Sequence, residues 1–336
     1  MTQTAWQRLT SERLLDSGDH DGNSQFNFAL IENCGIIRFS GDDAGLFLQG
    51  QLTNDATLIT PHQAQLTGYC NPKGRLIGLF HLIDYGNDYV AITNRLMVPA
   101  LIKRLRMFVM RSAVTIDDLS DEWGMAGLWG TGADEFLRTQ GYGPASHAYS
   151  IAQSSLSPTV VAVCAGLTEP AYRLVGPRES LADLLLTEPQ APTGENLWDM
   201  LMIDAGQPSL TESTAEAFVP QMINLELIDG VSFQKGCYPG QEIVARTRYL
   251  GKIKKRMFLF ETKEANINPG DSVYAPGNDQ SVGTIVNVAT DKNNHCRLLA
   301  SVRITALETQ LTTANGTRLA RKSLPYPIPS DAESLT

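Results

Sequence analysis

Apolar and β-branched residues dominate Phe28 to Phe39, the pattern of paired strands, while the first 24 residues are polar and end in DSGDHDGNS. Residues 1–24 therefore read as a loose extension, with a short helix around Trp6 to Leu15. Ser40 and Asp43 have capping-box spacing ahead of a helix that runs through Leu46 and Phe47 and stops near Gly50. Asn71-Pro72 and Lys73-Gly74 separate two apolar runs and predict a hairpin. Asn94 is a cap candidate for a helix whose buried face holds Val98, Leu101, Ile102, Leu105, Phe108 and Val109, with Lys103, Arg104 and Arg106 along its solvated edge.

Further strands are expected at Trp123–Trp129 and Thr159–Cys164, and helices at Asp134–Gln140 and Ser180–Leu186. After the Pro-rich Thr187–Gly194, Thr193 is positioned to cap a helix bearing Leu197, Trp198, Leu201, Met202 and Ala205, closed by Gly206 and Pro208. Beyond Gly251 the chain turns to short β-type runs at Met257–Phe260, Ser272–Tyr274, Thr284–Val288 and Leu298–Ile304, punctuated by Asn, Pro, Gly and Asp, with an Asn315-Gly316 turn. Regular short strands of this kind predict a small antiparallel barrel.

A length of 336 residues points to two or three domains, and 43% apolar with 19% charged residues is ordinary for a globular protein. No run of 18 apolar residues is present and the N-terminus lacks a secretion-signal pattern, so no membrane contact is expected. Five widely spaced cysteines, an odd number, predict reduced thiols in the cytosol. The net charge of −9 excludes bulk polyanion binding and leaves local patches as the route to nucleic acid. One such patch spans residues 246–256, where Arg246, Arg248, Lys252, Lys254, Lys255 and Arg256 occur without an acid. The five histidines form no metal-ligand spacing, there is no phosphate-loop or dinucleotide motif, and no cysteine set could hold an iron–sulfur cluster alone.

Chemistry concentrates at Lys235-Gly236-Cys237-Tyr238-Pro239-Gly240-Gln241-Glu242. Gly236, Pro239 and Gly240 predict a tight turn, from which Gln241 to Arg246 start a helix. A thiol just before a helix, with a lysine nearby, is biased toward thiolate. Cys237 is thus the candidate reactive thiol. The same residues equally describe a structural turn with Tyr238 packed and Cys237 inert, and spacing alone leaves both readings standing.

This string matches K-G-C-Y-x-G-Q-E throughout, and here the chain resembles YgfZ-type proteins. Gly41-Asp42-Asp43 with Phe47–Asp55, Tyr69–Arg75, Ile203–Pro208, Pro220-Gln221 with Asn224-Leu225, and Ser323–Tyr326 resemble further family segments in order. The resemblance spans residues 28 to 328. It implies an α+β, aminomethyltransferase-like fold: two interleaved α+β domains (25–248) and a C-terminal antiparallel β-barrel (251–328) around a central folate site. It also implies a tetrahydrofolate ligand and roles in tRNA modification and in maintaining iron–sulfur enzymes, with iron–sulfur tRNA-modifying enzymes as partners.

By the same resemblance Cys237 is the functional cysteine, with Lys235 beside it. Trp198 matches a folate-contacting tryptophan, although its helical spacing with Leu201, Met202 and Ala205 equally describes core packing. Cys34 falls near a second such tryptophan, a departure that removes a stacking contact. Tyr238, Gln241, Glu242 and Arg246 complete the expected folate contacts. The run 246–256 then offers cations for a folate polyglutamate tail or for tRNA, with Tyr249 as a stacking residue, beside the plain reading of a solvated connection. Two other functions fit the resemblance less well: a glycine-cleavage aminomethyltransferase, which lacks the Cys-Tyr pair, and a non-catalytic RNA-binding scaffold regulated by folate.

Overall fold

In a computed structural model, residues 4–12, 26–187, 191–249, 253–263, 266–277 and 279–329 are described. Residues 13–24 and Lys252, which carried expectations above, lie outside them. The chain forms two units, each assembled from discontinuous segments.

The first unit takes Met1–Ala44, Leu58–Ala64 and His81–Trp198. Its antiparallel sheet runs in the order 27–30, 123–129, 171–177, 161–164, 151–153. The helices Ala133–Thr139 and Arg178–Leu185 contribute Phe136, Leu137, Leu181 and Leu185 to one apolar core with this sheet. The helix Ala5–Glu12 is docked rather than loose: Leu9 is buried in that core and Trp6 covers Gly124. A second group of strands, Cys34–Ser40 between Asp88–Asn94 and Thr115–Asp118, is likewise antiparallel.

Three local expectations differ. Asp43 makes no capping box, because its backbone and carboxylate are paired with Ala113, which clasps the helix Ala44–Gln51 at its start. The Thr193 hydroxyl donates to the Phe28 carbonyl, so the helix Glu195–Asp204 begins without it. Asn94 does cap, but a 3-10 turn (Arg95–Met97) that leads into the helix Val98–Val109. On that helix Val98, Leu101, Ile102 and Leu105 are buried while Phe108 is exposed, because the apolar stripe drifts off the core side by the last turn.

The second unit takes Gly45–Thr57, Gln65–Phe80 and Asp199–Thr336. The expected hairpin is present: Gln65–Cys70 and Leu76–Tyr85 flank a turn in which the Asn71 side chain accepts from the amides of Lys73 and Arg75. Toward the C-terminus a six-stranded antiparallel sheet has the order 312–313, 272–274, 283–290, 296–303, 255–262, 320–322. Phe258, Phe260, Ile285, Leu298 and Val302 fill its interior. No helix among the described residues is long and apolar enough to cross a membrane.

Candidate functional site

Residues 235–242 lie in the second unit, and two glycines set their geometry. Gly240 has φ +81° and Gly74 has φ +69°, both in the left-handed region. A Cβ on Gly240 would fall 2.4 Å from the Asn71 carbonyl oxygen and 2.6 Å from the Gly74 nitrogen. The hairpin turn is therefore pressed against the start of the helix Gln241–Tyr249. Gly236 plays no such part: its φ is not positive, and nothing lies within 4 Å of where its Cβ would be. The expectation that Gly236 forces the turn is corrected accordingly. Val244 is fully buried, and the Gln221 amide donates to its carbonyl at 2.7 Å, which anchors the helix.

Lys235 is buried, and its ammonium donates to the carbonyls of Gln49, Leu52 and Asn54 at 2.6, 2.7 and 2.9 Å. These oxygens sit at and beyond the end of the helix Ala44–Gln51, where unpaired carbonyls attract a cation. All three ammonium protons are thereby taken. This cation ties the turn to residues 49–54. Burial lowers the Lys235 pKa to about 8, with Asp55 acting in the opposite direction. The ammonium also stands 5.4 Å from the centre of the buried Tyr238 ring.

Cys237 is exposed, whereas Cys34, Cys70, Cys164 and Cys296 are buried. Burial pushes the Cys34 and Cys70 thiols up to about 12. The sulfur at 237 is thus the one presented to solvent by the turn. Gln241 braces that turn, its amide donating to the carbonyls of Lys235 and Gly236 at 3.4 Å each. Glu242 and Arg246 point outward as exposed residues. Among the described residues no group of His, Cys, Asp and Glu is arranged to hold a metal ion.

Trp198 and Cys34 belong to the first unit. Trp198 is 2% exposed and lies so close on Gly127 that a Cβ there would meet its ring at 2.3 Å. Trp129 and the guanidinium of buried Arg173 are each 5.8 Å from its ring. The Arg173 charge also acts on Cys34 and on His81. His81 is held neutral, well below the usual histidine range, by burial and then by Arg173. Its Nδ1 is buried with no hydrogen-bond partner among the described residues, and its ring stands 6.0 Å from Tyr149.

No protein-family model matches the chain. Among curated proteins, the tRNA-modifying protein YgfZ of Colwellia psychrerythraea is 33% identical over 240 residues, covering 69% of this chain and 71% of the relative. The chain belongs to the YgfZ family. YgfZ of Aliivibrio fischeri is 27% identical over 290 residues, covering 85% of this chain and 88% of its own length. The aminomethyltransferase T of the glycine cleavage system from Bartonella henselae superposes with a TM-score of 0.66 at 15% identity, covering 94% of this chain and 89% of that one. The chain therefore has the aminomethyltransferase fold.

The basic run is smaller than its sequence. Arg256 is buried, paired with the buried Glu226 and donating to the Gln221 carbonyl at 3.1 Å, so it leaves the surface patch. Lys255 is half-buried, its pKa lowered by burial and then by Arg303 and Arg75. Arg246, Arg248 and Lys254 remain exposed. Several residues escaped the sequence reading. Arg173 is a charge in the middle of an apolar strand, a signal that was available. Phe233 and Arg303 come close to the signature helix or its cations only through folding, which no local pattern announces.

Proposed function

We propose that this protein acts in tRNA modification and in the assembly or repair of iron–sulfur enzymes, as a folate-binding accessory factor whose working group is the Cys237 thiol. The observation that carries the reading is the contrast among cysteines: four are buried and Cys237 alone of the five is exposed, on a turn fixed by Gly240 and by Lys235. An exposed thiol on a rigid turn can meet a protein or cluster too large to enter a cavity. Membership in a family whose relatives are named tRNA-modifying proteins supports the tRNA side.

For tetrahydrofolate, the first unit supplies suitable chemistry. A pterin needs aromatic walls and hydrogen-bonding edges, and Trp198, Tyr149, the unspent His81 Nδ1 and the buried Arg173 are of that kind. His81 and Arg173 would hold polar edges of the ligand, while Trp198 and Tyr149 would exclude water. When bound, the folate would supply a carrier for one-carbon groups. Gln241 and Tyr238 serve the turn instead, one through its carbonyl contacts and the other through its burial.

The test is a deletion strain complemented with wild type or Cys237→Ser, with methylthiolated tRNA measured by mass spectrometry. The reading expects restoration by wild type and not by the variant. Full restoration by Cys237→Ser at equal protein level would remove the thiol from it.

A further inference from the structure

The helix Gln241–Tyr249 ends in an exposed ring. Tyr249 is 57% exposed, and its ring meets Phe233 edge to face, with centres 6.2 Å apart and planes at 76°. The Arg248 guanidinium carbon is 4.1 Å from the centre of the Phe233 ring and 5.8 Å from that of Tyr249. A guanidinium packed on a ring with one face keeps its other face for a second flat partner. Arg246 stands on the same helix, and Lys254, Lys255, Arg75 and Arg303 belong to the same unit. None of these five, nor Arg248, is in an ion pair among the described residues. Burial, and then the charges of Arg303 and Arg75, lower the Lys255 pKa, so these three cations lie near one another, and the Arg75 guanidinium donates to the Glu216 and Ala217 carbonyls and not to a carboxylate. The helix's acid, Glu242, stands in its first turn, at the opposite end from Tyr249.

We infer that Phe233, Arg248 and Tyr249 form a stacking platform for an unpaired base of an RNA loop, with the exposed Arg246 and Lys254 holding flanking phosphates. An exposed aromatic ring and a guanidinium face read unstacked bases, which duplex RNA does not offer, and cations without an ion-pair partner are matched by a phosphate backbone. The inference rests on the tRNA side of the proposed function and names the surface that would contact tRNA. Phe233 precedes Cys237 by four residues, so a loop seated on the platform lies near the thiol in the chain.

The experiment measures fluorescence anisotropy of the full-length protein with an unmodified tRNA transcript and with a loop-free RNA duplex of equal length, from about 50 to 200 mM salt. The tRNA is expected to bind more tightly than the duplex. Tyr249→Ala should weaken tRNA binding about tenfold and Tyr249→Phe should not. Arg246→Glu with Lys254→Glu should weaken binding and flatten its salt dependence. Melting temperatures equal to wild type would exclude unfolding at these exposed positions. Equal affinity for tRNA and duplex, or unchanged tRNA affinity in Tyr249→Ala, overturns the platform. So does a Tyr249→Ala variant that keeps tRNA but loses a purified methylthiolating enzyme, since the face would then belong to a protein partner. Cys237→Ser should bind tRNA normally. Its success in complementation would sink the thiol reading and leave the platform intact.

Discussion

The backbones of Gly74 and Gly240 touch, so that a methyl group on Gly240 would sit 2.6 Å from both the nitrogen and the Cα of Gly74. The contact joins a hairpin turn to the start of the signature helix, and neither position tolerates a side chain. Gly240→Ala, strained at φ +81° and blocked by backbone, is expected to lose about 2 kcal/mol or more in urea unfolding. Gly236→Ala, with open space around it, should stay within about 0.5 kcal/mol of wild type. If Gly236→Ala is stable but fails in complementation, that open space is used by a bound partner.

Thiol accessibility gives a second prediction. A disulfide reagent such as DTNB should label one cysteine of the native protein rapidly and the other four only on denaturation, following their exposure. Cys237→Ser should abolish the rapid phase. A rapid phase that survives the substitution would place the reactive sulfur elsewhere.

Lys235 predicts a pH effect. Its pKa falls from 10.5 to about 8 on folding, so between these values the unfolded chain binds more protons than the folded one. The contribution of this group to stability therefore rises as pH climbs from about 8 to 10.5 and is constant below that window. Unfolding midpoints of wild type and Lys235→Met across the window should diverge in that direction. Parallel curves would show that the lysine keeps its ordinary affinity for protons. At pH 7, Lys235→Met should also destabilise, because three carbonyls lose their donor.

The buried pair of Arg256 and Glu226 should behave as structure and not as a binding site. Removing one partner leaves the other charge buried, a loss of about 3–5 kcal/mol. Arg256→Met should therefore lower the melting temperature sharply, whereas Lys254→Glu on the exposed side should not. A stable Arg256→Met that lost only RNA binding would return this residue to the surface patch.

Local signals made much of this fold legible. The Asn71 turn, the strand at Trp123–Trp129, the helix at Asp134 and the short C-terminal strands follow turn chemistry and periodicity over a few residues. The failures are places where a distant segment won. Asp43 is taken by Ala113, 70 residues away, and Thr193 by Phe28, 165 residues away. The three carbonyls that take the Lys235 ammonium lie 181 to 186 residues away, beyond the reach of any local pattern. The run 246–256 looked uniformly basic because nothing local distinguishes an exposed Lys254 from an Arg256 paired inside.

The Lys235 ammonium binds carbonyls 181 to 186 positions earlier in the chain. During synthesis, the segment around Gln49 to Asn54 leaves the ribosome long before its cation exists, and those oxygens must wait in water or with a chaperone. Closure of this link is a late event in maturation. A chain ended before residue 235 would keep the bonds of Thr53 to Gly68 but leave these three carbonyls without their cation.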